Sequence, residues 1–479
     1  MSTESPQREA FRYHEVEQHV LRLIDSKQYP PGSRLPSLRA VARHLTASLS
    51  TVCHAYEELE RRGVVESRPR SGYYVRTLPS PLPLPHSAPA EEEEPREANR
   101  SRLIATVLEA VGNPQMAPFG VVSPDPTLLP GKKLGQIMAD LTRRNAEQCV
   151  AYETIPGNTE YRMQIARRAC EDGMPTRASE VVATTGAMEA LYIALRVLTR
   201  PGDNVLIQSP TYHCFLQLLE TLGLRAVEIP SDPKHGINPA DLSKALSTFE
   251  VSACILSGNF NNPDGSITPD AAKREIVEIL AAKNIPLVDD DVSADLHFDG
   301  KRPASFKQYD KKGIVVFCSS YSKTIAPGYR AGWMLPGRFM EKALEVKATT
   351  NVCCTSPTQA AIAEFLRLDL YDKQLKKLRS ALQGQIHHMH ECIVASFPEG
   401  TRVTSPRGGG VLWLELPPAI NGVDLFFKAR ASRIGIAPGS IFSTRDRFSN
   451  YIRLSCCGIW NQRMEEALRE LGGLAKELA

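Results

Sequence analysis

Residues 319–330 read Ser319-Ser320-Tyr321-Ser322-Lys323-Thr324-Ile325-Ala326-Pro327-Gly328-Tyr329-Arg330. The hydroxyls of Ser320 and Ser322 and the guanidinium of Arg330 suit a phosphate, which leaves the amine of Lys323 free to condense with an aldehyde. Asp289-Asp290-Asp291 sets three carboxylates side by side. Their repulsion favours a cation, and a metal ion or a protonated pyridine ring would each serve; the lysine and phosphate groups point to the ring. Asn262, in Asn262-Pro263-Asp264-Gly265, could give an amide to a ring hydroxyl, and Tyr212, in Ser209-Pro210-Thr211-Tyr212, an aromatic face for stacking. Gly186, Ala187 and Met188 open a stretch with Leu191, Ala194, Leu195 and Leu198 at core spacing, so free N–H groups and a positive dipole end would face a phosphate there.

Each of these groups needs a rigid support, and apolar runs supply it. Val181-Val182-Ala183, Asn204-Val205-Leu206-Ile207, Cys254-Ile255-Leu256, Ile285-Pro286-Leu287-Val288 and Ile314-Val315-Val316-Phe317 read as buried strands between helices. Such near-continuous runs predict an α/β fold with a mainly parallel, doubly wound sheet, and ligands then sit at the carboxyl ends of its strands. Two other runs carry less. Gly408-Gly409-Gly410 lacks the G-K-[ST] ending of a phosphate-binding Walker loop, and His387, His388 and His390 cannot stack on one helix face, so no metal site is expected.

Across roughly residues 115–475 these segments, in this order, resemble the fold-type I aminotransferases, which use pyridoxal 5'-phosphate. The resemblance implies Lys323 as the Schiff-base lysine, Asp290 on the pyridinium nitrogen, Asn262 on the phenolic oxygen and Tyr212 over the ring. It implies a phosphate held by Gly186, Ala187, Met188, Ser320, Ser322 and Arg330. Arg453, in Tyr451-Ile452-Arg453-Leu454-Ser455, matches the arginine that takes a substrate carboxylate in a bidentate fork, a structural ion pair being the plainer role. Tyr152 matches the tyrosine that reaches the neighbouring subunit's phosphate, which implies a homodimer. Two positions depart from the family: Ser293 stands where a tyrosine tunes the imine, and Asp264 where a threonine is usual. Cofactor binding should survive these changes, whereas losing a positioned proton-relay group costs ~10²–10⁴ in rate.

Ahead of this region lie three helical patterns. Val16, Val20, Leu23 and Ile24, then Leu38, Val41, Ala42 and Leu45 after the candidate cap Ser37, then Val52, Ala55, Tyr56 and Leu59 ending at Gly63, all keep core spacing. Two β-prone runs follow, 64–67 and 72–75, joined by Arg68-Pro69-Arg70-Ser71. Three helices and a hairpin make a winged helix-turn-helix. The outer face and first turn of its third helix would show Ser48, Ser50, Thr51 and His54 to a major groove, and the hairpin would bring Arg68 and Arg70 to phosphates or the minor groove. The run PPGSRLPSLRAVARHLTASLSTVCHAYEELERRGVVESRPRSGYYV resembles the winged-helix domain of the GntR superfamily. That resemblance carries a DNA-contact role to Arg39, Ser48 and Thr51; the family usually has a basic residue at the position of Leu49 and often one at Cys53.

Charge follows the same division. The chain's net charge is +3, but 61–76 alone hold five arginines and one glutamate, while 77–100 hold two arginines, five glutamates and a series of prolines. A basic edge precedes an acidic, proline-rich segment that should be an extended tether. The expected organisation is a winged helix at 10–76, a linker at 77–100 and a pyridoxal-phosphate-binding and dimerisation domain at 101–479, with its smaller α+β part from about 375. In 479 residues no apolar run reaches 18, which excludes a membrane-spanning helix, and the start of the chain lacks a signal-peptide core, so the cytoplasm is expected. Eleven cysteines without a C-x-x-C read as reduced thiols.

The combination resembles the MocR subgroup of GntR transcriptional regulators. It implies a pyridoxal-phosphate-dependent transcription factor that binds double-stranded DNA and senses an amino acid, an amine or the cofactor itself. The alternative is a working aminotransferase whose DNA-binding module is secondary.

Overall fold

The computed structural model describes residues 6–26, 28–68, 71–76, 82–88, 94–97, 101–109, 113 and 115–479. The N-terminal module is α1 (Pro6–Asp25), α2 (Leu38–His44), α3 (Leu49–Arg61) and the antiparallel wing β1 (Val65–Arg68) and β2 (Gly72–Val75). Val16, Val20, Val41, Val52, Ala55, Tyr56 and Leu59 are buried together with Val65 and Val75, so the apolar stripes read from the sequence close on one another. Ser37 and Ser48 cap α2 and α3 by accepting from the backbone N–H of Ala40 and Thr51.

The rest of the chain opens with β3 (Arg96–Glu97), α4 (Ser101–Leu108) and β4 (Ala117–Pro118), and continues through α5 (Gly131–Arg144), α6 (Ala146–Val150) and α7 (Thr159–Glu171). Its main sheet is built from β3, β5 (Val182–Thr184), β6 (Asn204–Ser209), β7 (Arg225–Asp232), β8 (Gly236–Ile237), β9 (Ala253–Leu256), β10 (Leu287–Asp290), β11 (Val315–Ser320) and β12 (Gly332–Leu335), in the order β3-β7-β6-β9-β10-β11-β12-β5 with β8 on β7. The five central strands from β7 to β11 are parallel, and β3, β8 and β12 run against their neighbours. Helices α8 (Ala187–Leu198), α9 (His213–Thr221), α10 (Pro239–Thr248), α11 (Asp270–Lys283), α12 (Met340–Thr350) and α13 (Ser356–Arg367) belong to this part. Their apolar faces form separate cores on the two sides of the sheet: α8, α9 and α12 on one, α10 and α11 on another. This is the doubly wound arrangement expected from the apolar runs.

A 26-residue helix, α14 (Tyr371–Ser396), leads into a second sheet of β13 (Arg402–Val403), β14 (Val411–Glu415), β16 (Ala437–Pro438) and β17 (Tyr451–Ser455), in the order β13-β14-β17-β16. Helices α15 (Gly422–Ala431) and α16 (Gln462–Lys476) cover it, and β15 (Ile434–Gly435) pairs with β4, which anchors the segment that continues to Val122.

The proline- and glutamate-rich segment departs from the expected tether wherever it is described. Val403 N–H donates to Pro83 O at 3.0 Å, His86 N–H donates to Glu415 at 2.8 Å, and Ser87 donates to Asp232 at 2.9 Å. Ala88 is buried in the core of the second sheet, and β3 extends the edge of the first along β7. Composition argues that such a stretch cannot build a core of its own. Laid along existing sheet edges it needs none, because those edges supply the missing partners.

Candidate ligand pocket and DNA-facing surface

The strand ends converge on one cavity of about 320 Å³. Lys323, Asp290, Asn262, Tyr212, Ala187, Met188, Ser320, Ser322, Arg330 and Arg453 all line it, and Gly186 adjoins it at the start of α8. Lys323 lies in a 3-10 turn directly after β11 and is half-buried; its Nζ donates to Val122 O. Burial pushes the ammonium below its ordinary value, with Arg453 adding to the effect, which lowers the cost of reaching the uncharged, nucleophilic amine.

The three aspartates do not share a centre. Successive side chains on β10 point to opposite faces, so Asp290 alone enters the cavity. Asp289 accepts from the N–H of Lys307 at 3.1 Å, and Asp291 accepts from Asn259 at 3.0 Å and pairs with Arg302 at 2.6 Å. The cation inferred for the triplet is thus partly supplied by the chain itself, as Arg302, on the far side. Asp290 Oδ2 accepts from Ser257 at 3.3 Å, whereas its Oδ1 is buried without a partner. Burial lifts this carboxyl to about 7, reinforced by Asp291. A protonated ring nitrogen at Oδ1 would satisfy the orphaned atom and restore the anion.

The elements expected to hold a phosphate form a cup. Gly186 has φ +80°, and a Cβ there would lie 2.3 Å from Arg330 Nη2. α8 has no side-chain cap, so its first-turn N–H groups face the cavity mouth. Arg330 donates to Ser322 Oγ at 3.4 Å and to Thr185 O at 3.3 Å. Ser320 Oγ accepts from the Ser322 N–H at 3.4 Å.

Arg453, from the second sheet, is 1% exposed. It donates to Asn262 Oδ1 at 3.4 Å and to Gly120 O, its Nε has no partner, and burial lowers its guanidinium to about 10. Among the described residues no carboxylate pairs with it, so the plainer structural role is not filled. His213 was not singled out in the sequence, although it follows Tyr212 directly. It lines the cavity, burial drives its imidazole down to about 3, and its Nδ1 has no partner. The Val122 carbonyl on Lys323 and Ser257 on Asp290 carried no local signal. Ser293 also lines the cavity. Asp264 does not. It is fully buried and accepts from Asn261 and from both donors of Ser266, which makes it the brace of the turn that holds Asn262. Tyr152 is 89% exposed and stands outside its own chain's cavity. No metal-binding cluster occurs among the described residues.

On the N-terminal module, Arg39, Ser48, Ser50 and His54 are exposed. Thr51 is only 9% exposed, and its hydroxyl lies 2.7 Å from Ser48 Oγ, so it completes the cap rather than projecting from the helix. Arg68 lies over the Tyr74 ring at 4.1 Å and pairs with Glu66 at 2.6 Å, which holds it on the wing. Arg70 and the side chain of Arg61 lie outside the described residues. The basic stretch is not all free for phosphates: Arg76 pairs with Glu391 at 2.6 Å and Arg62 approaches Glu17 at 3.9 Å.

Residues 12–75 match the model of the bacterial regulatory proteins of the gntR family, and residues 130–471 match that of the class I and II aminotransferases. The HTH-type transcriptional regulator YdcR of Escherichia coli is 34% identical, over 97% of this chain and 99% of its own. The chain belongs to the MocR-type regulators of the GntR family. A second Escherichia coli regulator, YjiR, is 32% identical over 96% of this MocR-type chain and 98% of its own. The solved structure of LysN, an α-aminoadipate aminotransferase from Thermus thermophilus complexed with N-(5'-phosphopyridoxyl)-L-leucine, superposes with a TM-score of 0.72 at 23% identity, over 79% of this chain and 99% of that one. That likeness shows that the regulator's large domain has the aminotransferase fold.

Proposed function

We propose that this MocR-type regulator binds pyridoxal 5'-phosphate in the Lys323 cavity, binds operator DNA through α3 and the wing, and changes its DNA affinity when an amino acid or amine enters that cavity. The observation that carries the reading is the buried, unpartnered Asp290 Oδ1 in the same cavity as the half-buried Lys323 and an uncapped helix N-terminus. When bound, the cofactor supplies an aldehyde that condenses reversibly with a primary amine. Lys323 holds its amine against Val122 O, Asp290 takes the ring nitrogen, and Tyr212 faces the ring. The α8 N-terminus, Ser320, Ser322 and Arg330 hold the phosphate. Arg453 takes a carboxylate from the entering ligand, and Asn262 meets the ring oxygen. The exposure of Tyr152, away from its own cavity, supports a homodimer in which it completes the partner's phosphate site. The gntR-family match, which implies access to DNA, supports a cytoplasmic location.

The retained Lys323 and Arg453 leave room for a transamination half-reaction. Ser293, in place of the family's tyrosine, speaks against sustained turnover. The test is purification of wild type and Lys323→Ala, measurement of the visible absorbance of bound cofactor, and titration of the chain's own upstream DNA with and without cofactor and amino acids. Loss of the absorbance in the variant and a ligand-dependent change in DNA affinity in wild type are expected. Wild type without cofactor absorbance, or with rapid multiple-turnover transamination and no change in DNA binding, would sink the reading.

A further inference from the structure

α14 touches both functional ends of the molecule. Its first turn grips the lysine loop: the Tyr371 hydroxyl donates to Asp295 at 2.6 Å and sits 3.0 Å from the hydroxyl of Thr324, the residue after Lys323. Gln374 donates to Thr324 O at 3.4 Å and to Leu128 O at 2.9 Å, and Arg379 donates to Asp295 O at 2.6 Å. Tyr371 and Leu375 are buried in the core beneath the main sheet, and Met389, Cys392 and Ile393 in the core of the second sheet. The helix is therefore pinned to both parts over a length of about 39 Å.

Its outer face holds the DNA-binding module. Ser380 donates to Glu58 of α3 at 2.7 Å, Glu391 pairs with Arg76 just beyond β2 at 2.6 Å, and Lys376 donates to Tyr13 and lies 2.9 Å from His14 of α1. At the turn that ends α3, a Cβ on Gly63 would lie 2.4 Å from the His387 ring. Residues 376, 380, 387 and 391 fall on one stripe of a 3.6-residue helix. The stripe meets the module behind its DNA face, because Ser48, Leu49, Ser50 and His54 stay exposed in the docked arrangement. Docking therefore does not cover the reading surface; it sets the orientation of α3 and the wing relative to the pocket.

We propose that α14 transmits ligand occupancy of the Lys323 pocket to the winged helix, with Tyr371 and Gln374 as the input on the lysine loop and Ser380, His387 and Glu391 as the output on α3 and the wing. This rests on the regulatory reading above. Release of Lys323 from its partner in the pocket shifts the 3-10 turn that carries Thr324. α14 cannot absorb that shift locally, because both its ends are packed, so it moves as a body and takes the docked module with it. Two such modules in a dimer would then change their spacing on DNA.

The experiment uses the full-length protein loaded with pyridoxal 5'-phosphate, its own upstream DNA, and L-alanine and L-glutamate as probes. DNA affinity is measured with and without probe for wild type, for Ser380→Ala/Glu391→Gln at the output end and for Tyr371→Phe at the input end. Wild type should shift by a factor in the range of allosteric couplings, roughly 5–150-fold. Both variants should keep the cofactor absorbance and the probe-free DNA affinity and lose most of the shift. The swap Arg76→Glu/Glu391→Arg should restore part of it. If wild type responds and the variants respond equally, or if the variants lose probe-free DNA binding, the role of α14 is overturned and the regulatory reading stands. If wild type responds to no probe and to no removal of cofactor, the regulatory reading itself falls and takes this one with it.

Discussion

Arg453 Nη1 lies 3.4 Å from Asn262 Oδ1, so the guanidinium proposed for a ligand carboxylate and the amide proposed for the ring oxygen already touch. The two come from different sheets: Arg453 from β17 of the second, Asn262 from the turn after β9 of the first. A carboxylate that drew Arg453 toward itself would release or re-aim Asn262. Under the proposed function, ligand entry, ring contact and the relative position of the two sheets would be linked through this hydrogen bond.

Replacing this arginine should separate carboxylate recognition from amine recognition. Arg453→Gln keeps a donor for Gly120 O but removes the charge, and breaking a buried charge pairing costs about 2–5 kcal/mol. Amino acids should then lose most of their effect on the cofactor spectrum, while a simple alkylamine keeps its own. A variant that responds to both ligands as wild type does would remove Arg453 from the binding site.

Asp290 predicts how stability depends on pH. Its folded-state carboxyl is raised to about 7, above the usual carboxylate range, so its contribution is present at low pH and is lost as pH rises through about 7. Cofactor-free protein should therefore lose stability between about pH 4 and 7 through this group, by on the order of a few kcal/mol. Asp264, raised by burial to about 6, adds a slope of the same sign, which makes the difference between wild type and Asp290→Asn the diagnostic quantity. Calorimetric Tm values across this range should show a flatter profile for Asp290→Asn. Added pyridoxal 5'-phosphate should flatten the wild-type profile as well, because a positive ring nitrogen returns Asp290 to its anionic form.

Gly186 should tolerate no side chain. Its φ of +80° lies outside the range most residues adopt, and a Cβ would meet Arg330 Nη2 at 2.3 Å. Backbone strain of this kind costs about 1–3 kcal/mol. Gly186→Ala should lower cofactor affinity by pushing Arg330 out of the cup, and Gly186→Ala/Arg330→Ala should show less than the sum of the two single effects. Equilibrium dialysis of the cofactor measures both; strict additivity would mean that the two residues do not share the site.

What could be read from the sequence was local. Lys323, Ser320, Ser322 and Arg330 fall within one stretch, and a buried strand followed by polar groups is visible without a structure. The selection of Asp290 from its triplet was also within reach, since the period of a strand sends its neighbours to the other face. The Val122 carbonyl on Lys323 was not, because 201 residues separate the two and Val122 has no distinctive chemistry. The same holds for the α14 stripe at 376, 380, 387 and 391: polar residues on a helix face normally meet water, and nothing local distinguishes a face that meets another module. The seating of 82–88 escaped for the opposite reason, since composition speaks of what a segment can bury alone and not of the edges available to it.

Leu49 predicts the behaviour of the DNA-facing surface. It is the first residue of α3, between two exposed serines, and is 45% exposed. A leucine there offers no phosphate or guanine contact and leaves an apolar group facing a polar groove. Leu49→Arg places a cation at the helix start, next to the sugar-phosphate backbone in the docking geometry of a recognition helix. Affinity for DNA should rise at low salt, and the slope of log K against log salt should steepen by about 0.9 for each added phosphate contact. Arg68→Ala, on the wing, should shift the slope by a similar amount in the other direction. Fluorescence anisotropy on operator and unrelated DNA across a salt series distinguishes the cases. A gain confined to the operator means that the new arginine reads a base, an equal gain on both means a phosphate, and no change on either means that the start of α3 does not face DNA.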